Sequence, residues 1–362
     1  DGDDFDLSLD VAAQADGPLA AMAGLDAPYT AQIRGDGTWS QWRGGLLLRS
    51  ENERVAAMRI TNRAGRFGLL GTFDPTNFLT GVPADALGTN VALKADVTID
   101  SRRFDGRTQL VGQGLFLDAR GLVDLAENRA EEMVVSALLR DPALFGDGMT
   151  LRDARLDATI DGAFNDLAIV HDARVGQFDV GGTILDGLRQ QGTASYDGTR
   201  WTLPLNLQVA RITSGNVMVD PRLVDGRGSG TIVLSGSTLL SDDLRIAFPN
   251  LSANLALRGD LGAGRYQIRG PVRAERLALD NVGTAGGTAT IDLTLAPESP
   301  WRLSADLDAR ISPVTNATLA NLAGTPIRVR GGIAVGGNAP LDFNRLRVDA
   351  SKVRLALDGS VR

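Results

Sequence analysis

The sequence predicts an all-β chain: a long, curved, mainly antiparallel sheet forming an open apolar groove, with a few short helical turns at its margins. Three observations carry that expectation. First, strand-length runs alternate apolar and polar residues. Val91, Leu93, Ala95, Val97 and Ile99, for example, interleave with Ala92, Lys94, Asp96, Thr98 and Asp100. A helix would put Lys94 and Asp96 among the apolar residues. Second, the 362 residues include 43 glycines and only 5% aromatics. There is no collagen-like period, so the glycines serve turns, bulges and strand ends. Third, a pattern recurs. Residues 346–361 (LRVDASKVRLALDGSV) match 58–73 (MRITNRAGRFGLLGTF), and longer copies cover 167–184 (LAIVHDARVGQFDVGGTI) and 244–261 (LRIAFPNLSANLALRGDL). Each copy ends in an alternating strand, a glycine (Gly71, Gly182, Gly259 or Gly359), a small or polar residue and an apolar one. A unit that cannot close a core alone points to stacking in an elongated array.

In chain order, Phe5, Leu7, Leu9 and Val11 form the first alternating run, and Gly17-Pro18, Gly24 and Pro28 make 14–28 a loop. Short strands resume at Tyr29, with Trp39, Trp42 and 46–48 before the first repeat copy. Asp74-Pro75 is a helix-start signal, so 76–79 is expected to form one turn. Residues 125–140 (LAENRAEEMVVSALLR) fit either an amphipathic helix or two strands around a turn at Asn128, and periodicity does not separate these. Asp141-Pro142 and Asp220-Pro221 repeat the helix-start signal. Strands are expected at 156–160, 178–184, 203–209 and 217–219. Pro204 cannot donate to a ladder, so inside an unbroken sheet it is a tension.

Further on, Ile232 and Leu234, Leu255 and Leu257, Tyr266 and Ile268, then Ile291, Leu293 and Leu295 mark strands. Residues 296–301 turn the chain into the run of Leu303, Ala305, Leu307, Ala309 and Ile311. Residues 314–322 read as a short helix stopped by Gly324, with Pro326 just beyond. No composition shift marks a linker, so 1–362 reads as one continuous β-groove segment.

Composition narrows the function classes. The net charge of −7, with mixed signs and no basic stripe interleaved with aromatics, argues against a nucleic-acid surface. Lys94 and Lys352 are the only lysines, a bias without functional content. No cysteine is present, which excludes disulfides and thiolate chemistry and is compatible with an oxidising compartment. No run of about eighteen apolar residues occurs, and the start, DGDDFDLSLD, enters a strand directly. The chain therefore reads as an internal fragment of a longer one.

No residues are assigned to catalysis, a cofactor or a metal, and the chain is not expected to be an enzyme. His171 is the only histidine, so no Ser-His-Asp or Cys-His arrangement is assembled from it, and it reads as a structural or surface residue. Asp1, Asp3 and Asp4 lack the spacing of a calcium loop. Gly226, Gly228 and Gly230 lead into a strand, whereas a phosphate cradle needs a helix N-terminus. Asp242-Asp243 and Glu131-Glu132 read as solvated pairs.

The candidate site is instead the apolar sheet face. Alternation gives the sheet one apolar and one polar side, and very long sheets curl. At about 4.8 Å per strand, twenty or more strands extend on the order of 100 Å. Ile60, Phe67, Leu69 and Phe73 would line the trough first, followed by Val91, Leu93, Val97 and Ile99. Leu203, Leu205, Leu207, Val209, Leu255 and Leu257 would continue the lining. Ile291, Leu293, Leu303, Leu307, Val353, Leu355 and Leu357 would complete it. Each of these residues fits ordinary core as well as trough wall. A partly empty apolar trough suits an apolar guest, and at about 0.8 kcal/mol per CH₂ a long acyl chain gains on the order of 10 kcal/mol by entering. The alternative is a structural β-scaffold or adhesin-like stalk without transport.

The repeated strand–Gly unit resembles the AsmA-like proteins. More narrowly, residues 150–362 resemble the TamB family, the inner-membrane subunits of the translocation and assembly module. The passages that carry the likeness are LDATIDGAF, GTASYDGTRWTLPLNLQVARITSGN, VDPRLVDGRGSG, LLSDDLRIAFPNLSANLALRGDL, YQIRGPVRAERLALDNVG and NATLANLAGTPIRVRGGI. They are long, loose patterns without an invariant triplet. The resemblance implies repeating β-grooves and favours strand at 125–140. It also implies a periplasm-spanning protein held in the inner membrane by a helix not present in this chain. Its expected roles are conducting phospholipid to the outer membrane and supporting outer-membrane protein assembly. Its expected partners are phospholipid and, through the full-length protein, a TamA-like outer-membrane barrel.

Overall fold

A computed structural model describes residues 4–15, 27–38, 40–51, 53–144, 148–217, 219–297, 299–336 and 341–361. The expectations at Asp1, Asp3, Trp39 and most of the 14–28 loop lie outside these residues, as does part of the 296–301 turn. The fold is all-β, 75% strand and 5% helix, with a curved antiparallel sheet that does not close. It divides into two compact units, Asp1–Gly181 and Gly182–Arg362.

In the first unit the strands are β1 Asp4–Ala13, β2 Tyr29–Thr38, β3 Gln41–Ser50, β4 Glu53–Arg63, β5 Arg66–Phe73 and β6 Val91–Asp100. They continue with β7 Arg103–Val111, β8 Leu115–Asp124, β9 Arg129–Leu139, β10 Met149–Arg152, β11 Arg155–Ala163 and β12 Asp166–Val180. Neighbours in sequence pair antiparallel, except that β9 pairs β11 and the short β10 extends alongside β12. The second unit is a meander of β13 Thr183–Tyr196, β14 Arg200–Thr213, β15 Val224–Ser235, β16 Thr238–Phe248, β17 Leu251–Asp260 and β18 Arg265–Leu279. It ends with β19 Gly283–Ala296, β20 Ser299–Val314, β21 Ile327–Gly336, β22 Leu341–Asp349 and β23 Arg354–Val361.

The ambiguous stretch is strand. Asp124 Oδ1 accepts from the Ala126 and Glu127 N–H groups, Asn128 has φ 52°, and the chain turns into β9. The proline-marked turns behave differently from one another. Asp74 caps the single turn Pro75–Asn77 by accepting from Thr76 N–H, as expected. A helix at Val82–Leu87 follows that alternation did not predict. Asp141 accepts from Ala143 N–H in a turn without a helix. Asp220 is itself the first residue of the turn Asp220–Arg222, and its carboxylate ties back to Ser214 and Gly215 N–H. Of the strand expected at 217–219, Val217 and Val219 are turn residues, with Val219 N–H bonded to Asn216 O instead of a neighbouring strand, and residue 218 lies outside the described residues. The expected short helix is Ala317–Ala323, capped by Asn316, whose Oδ1 accepts from Leu319 N–H.

Pro204 sits inside β14 without breaking it. The β13–β14 ladder runs through Gln190↔Leu207 and resumes at Ser195↔Thr202. Between them the Gln190 side chain donates to the Pro204 carbonyl (3.1 Å) and accepts from Asn206 N–H (3.0 Å).

The repeat expectation needs correction. Copies 58–73, 244–261 and 346–361 are the hairpins β4–β5, β16–β17 and β22–β23. Copy 167–184 instead runs along β12 into the Gly181-Gly182 turn, so Gly182 is a turn residue and not a counterpart of Gly359. The unit that does recur is a three-strand bulge. In β9, Glu132 takes φ 44° opposite Gly121 of β8, and its N–H donates to Asp161 of β11, beside Gly162. In β22, Arg345 takes φ 48° opposite Gly331 of β21, and its N–H donates to Asp358 of β23, beside Gly359. An ideal Cβ on Gly121 would lie 2.6 Å from Met133 Cα, and one on Gly331 would lie 2.7 Å from Leu346 Cα. Only glycine lets the bulged strand approach so closely.

Candidate functional site: a half-buried apolar sheet face

In an antiparallel ladder, directly paired residues share a face, so successive partners trace rows across the strands. One row of the first unit runs Leu9, Ile33, Leu46, Met58, Gly71, Leu93, Leu110, Leu117, Ala137, Leu156 and Ala173. Beside it Ile60, Leu69 and Ala95 form a row that passes through Thr108 and Ala119 and ends at Val135, Ala158 and His171. Phe67 pairs with Val97, Phe73 with Val91, and Ile99 with Phe104. The Trp42 ring lies over Gly35 and Gly44 on this same face, and its Nε1 is buried without an acceptor.

In the second unit a row runs Leu207, Gly228, Ile246, Ala253, Val272, Ala289, Leu307 and Gly331. Leu257, Ile268, Leu293, Leu303 and Val335 form its neighbour, and Ile291 lies between Gly270 and Ala305. Leu203 and Leu205 pair with Ile232 and Gly230, Leu255 with Leu244, Leu355 with Val348, and Leu357 with Leu346. Val353 is the misplaced member: it lies in the β22–β23 turn, outside the ladder. Gly226, Gly228 and Gly230 all lie within β15, where the first two make room for side chains of the flanking strands and Gly230 for the backbone at Asp243 and Leu244. Val209 and the Phe248 ring close over Gly226, and Leu207 over Gly228.

Most of these side chains are neither buried nor free. Val91 is fully buried, and Val209, Leu255 and Leu257 are largely so. Ile99, Leu355 and Leu357 are exposed, and the remaining site residues are half-buried. Neighbours on the same face cover them sideways, and among the described residues only the segment between β5 and β6 adds cover, at Val91.

Val91 owes its burial to the segment between β5 and β6. Phe78 stacks on Tyr29 of β2 with ring centroids 6.4 Å apart. Asp74 N–H bonds Val55 O, and the Leu87 and Ala86 carbonyls accept from Gln113 and Gly114 beyond β7. The segment thus follows one rim of the unit from β2 to β8. Sequence alternation offered no signal for it apart from Asp74-Pro75 and the flanking Gly81 and Gly88.

Lys94, Asp96 and Asn206 are exposed on the opposite face, which is polar and salt-bridged. Arg66 grips Asp96 at 2.5 Å and holds its carboxyl below the usual range. Arg107 does the same to Asp118. Asp242 pairs with Arg258, Asp243 accepts from Thr231 N–H, and Glu131 lies near Arg103 and Arg129. These contacts account for the paired acids as surface groups. Among the described residues no group of acids and histidine is placed to hold a metal ion, and no helix is long and apolar enough to cross a membrane.

Comparison of the chain with protein-family models, with curated proteins and with solved structures finds no match.

Proposed function

We propose that the apolar face shields acyl chains of phospholipid, and that the chain is a segment of a TamB-like periplasmic protein that conducts lipid between the inner and outer membranes. In this reading it supports outer-membrane protein assembly, with a TamA-like barrel as partner of the longer protein. The observation that carries the lipid reading is the set of predominantly apolar rows, half-buried and largely uncovered among the described residues. An apolar patch of that extent on a folded protein marks a binding surface. The family assignment and the periplasmic location both rest on the sequence resemblance.

Photo-crosslinking residues in place of Leu93, Val97 or Leu205 are expected to capture lipid in cells, whereas Lys94, Asp96 or Asn206 are not. Each pair of neighbours differs only in the face it occupies. Equal labelling of the two sets, or none in either, would leave the scaffold reading in its place.

A further inference from the structure

A concavity of about 860 Å³ opens on the polar face of the second unit, and five arginines line it: Arg269, Arg302, Arg330, Arg345 and Arg347. Three aspartates, Asp292, Asp306 and Asp342, supply the counter-charge. Two of the guanidinium groups are engaged, Arg302 by Asp342 at 3.1 Å and Arg330 by Asp308 at 3.2 Å. Asp292 is occupied by the Gln267 amide, at 2.9 and 3.0 Å. The side chains of Arg269, Arg345 and Arg347 have no hydrogen-bond or ion-pair partner among the described residues. Arg347 also stands directly across the ladder from Arg330, a like-charge pairing that repels. In a chain of net charge −7, this local excess of cations is out of character.

The bulge builds the site. The extra residue in β22 puts Arg345 beside Arg347, while Gly332 leaves the facing strand without a side chain on this face. The equivalent bulge of the first unit adjoins a concavity of about 700 Å³, but there Glu132 stands for Arg345 and Val134 for Arg347. The first-unit concavity also holds Arg66, Lys94, Arg107 and Arg120 against Asp96, Asp105 and Glu132, but its bulge contributes an acid, whereas the bulge of the second unit contributes two arginines.

We propose that the concavity of the second unit binds a phosphate-bearing anion through Arg269, Arg345 and Arg347. Guanidinium forks match phosphate oxygens in bidentate geometry and bind them more strongly than neutral donors do. The site lies on the sheet face opposite the apolar rows, so it does not depend on the lipid-shielding reading. A soluble phosphate ester and a lipid phosphate head group share this chemistry.

The test uses the whole chain with two probes at low salt: pyrophosphate by calorimetry, and phosphatidylglycerol vesicles by co-sedimentation, with phosphatidylcholine vesicles as control. Saturable binding of at least one probe is expected. Loss of one or two charge-assisted contacts should weaken it about tenfold or more in Arg345→Glu and in Arg347→Gln. Arg345→Glu places in the bulge the residue that the first unit already holds there, so its melting temperature should stay unchanged. Binding of pyrophosphate alone assigns a soluble ligand, and Arg345-dependent binding of the anionic vesicles assigns a head group. No saturable binding of either probe, or binding that both substitutions leave intact, overturns the proposal.

Discussion

At the scale of single residues, the recurring bulge depends on one carboxylate oxygen per copy. Asp161 and Asp358 each accept from the N–H of a residue in left-handed conformation, at 3.1 Å in both cases. That N–H has no ladder partner, and leaving it unsatisfied costs about 1–3 kcal/mol. Asp161→Ala is expected to destabilise the first unit by about that amount, whereas Asp161→Asn, which keeps the accepting oxygen, should cost much less. Chemical denaturation, with hydrogen exchange at the Glu132 amide, checks both. Surface carboxylates set the acid limit. Asp197 is held well below its ordinary value by hydrogen bonds from Thr199 and then Arg200, and Asp96, Asp118, Asp157, Asp220 and Asp260 are also lowered. A depressed folded value means that the stabilisation is present above the unfolded value of roughly 3.9 and is lost as pH falls through the folded one. Melting temperature should therefore be insensitive to these groups at neutral pH and drop below about pH 4. A melting temperature that rises on acidification would contradict the assignment.

At the scale of elements, the strands were legible because a period of two is unambiguous when it runs through Val91 to Asp100 or Leu303 to Ile311. Connections were less so. The Asp-Pro signal reports that a proline follows an acid, not where the carboxylate goes: Asp74 caps forward, whereas Asp220 ties backward to Ser214. Gln190 bridging the gap at Pro204 has no local signature, since its partners are fourteen and sixteen residues away. Nor did alternation indicate the segments that follow the rims. In the second unit Arg222 anchors such a segment. Its Nε donates to Ala278 O at 2.7 Å, and its guanidinium pairs with Asp280 at 3.0 Å, although 56 residues separate donor and acceptor. The Arg222 side chain is only 10% exposed, whereas that of Asp280 is 73% exposed. Arg222→Ala should therefore release the loop at 214–223 and cost about 1.5–3 kcal/mol, with Asp280→Asn costing far less. Faster exchange of the Ile212 amide, which bonds Leu223 O, would report the release locally.

At the scale of the whole molecule, the sequence alone does not decide whether an apolar row is a core or a wall, because both need the same alternation. Val97 and Leu307 make the distinction measurable. Each sits mid-strand on the apolar face, half-buried, between exposed polar neighbours. In a dry, layered core an unpaired carboxylate costs several kcal/mol and would unfold the unit around it. On an uncovered face the carboxylate reaches water whenever no guest is bound, so Val97→Asp and Leu307→Asp should lower the melting temperature only modestly. Lipid is affected differently. An acyl chain lying along the rows would have to leave water at the charged position, so the variants should emerge from mild purification depleted of phospholipid. Thermal unfolding and bound lipid, measured on the same preparation, give a two-way answer. A variant that folds but carries no lipid supports the shielding face. A variant that unfolds, while its folded remainder keeps normal lipid, places that residue in a closed core and makes the scaffold the better description.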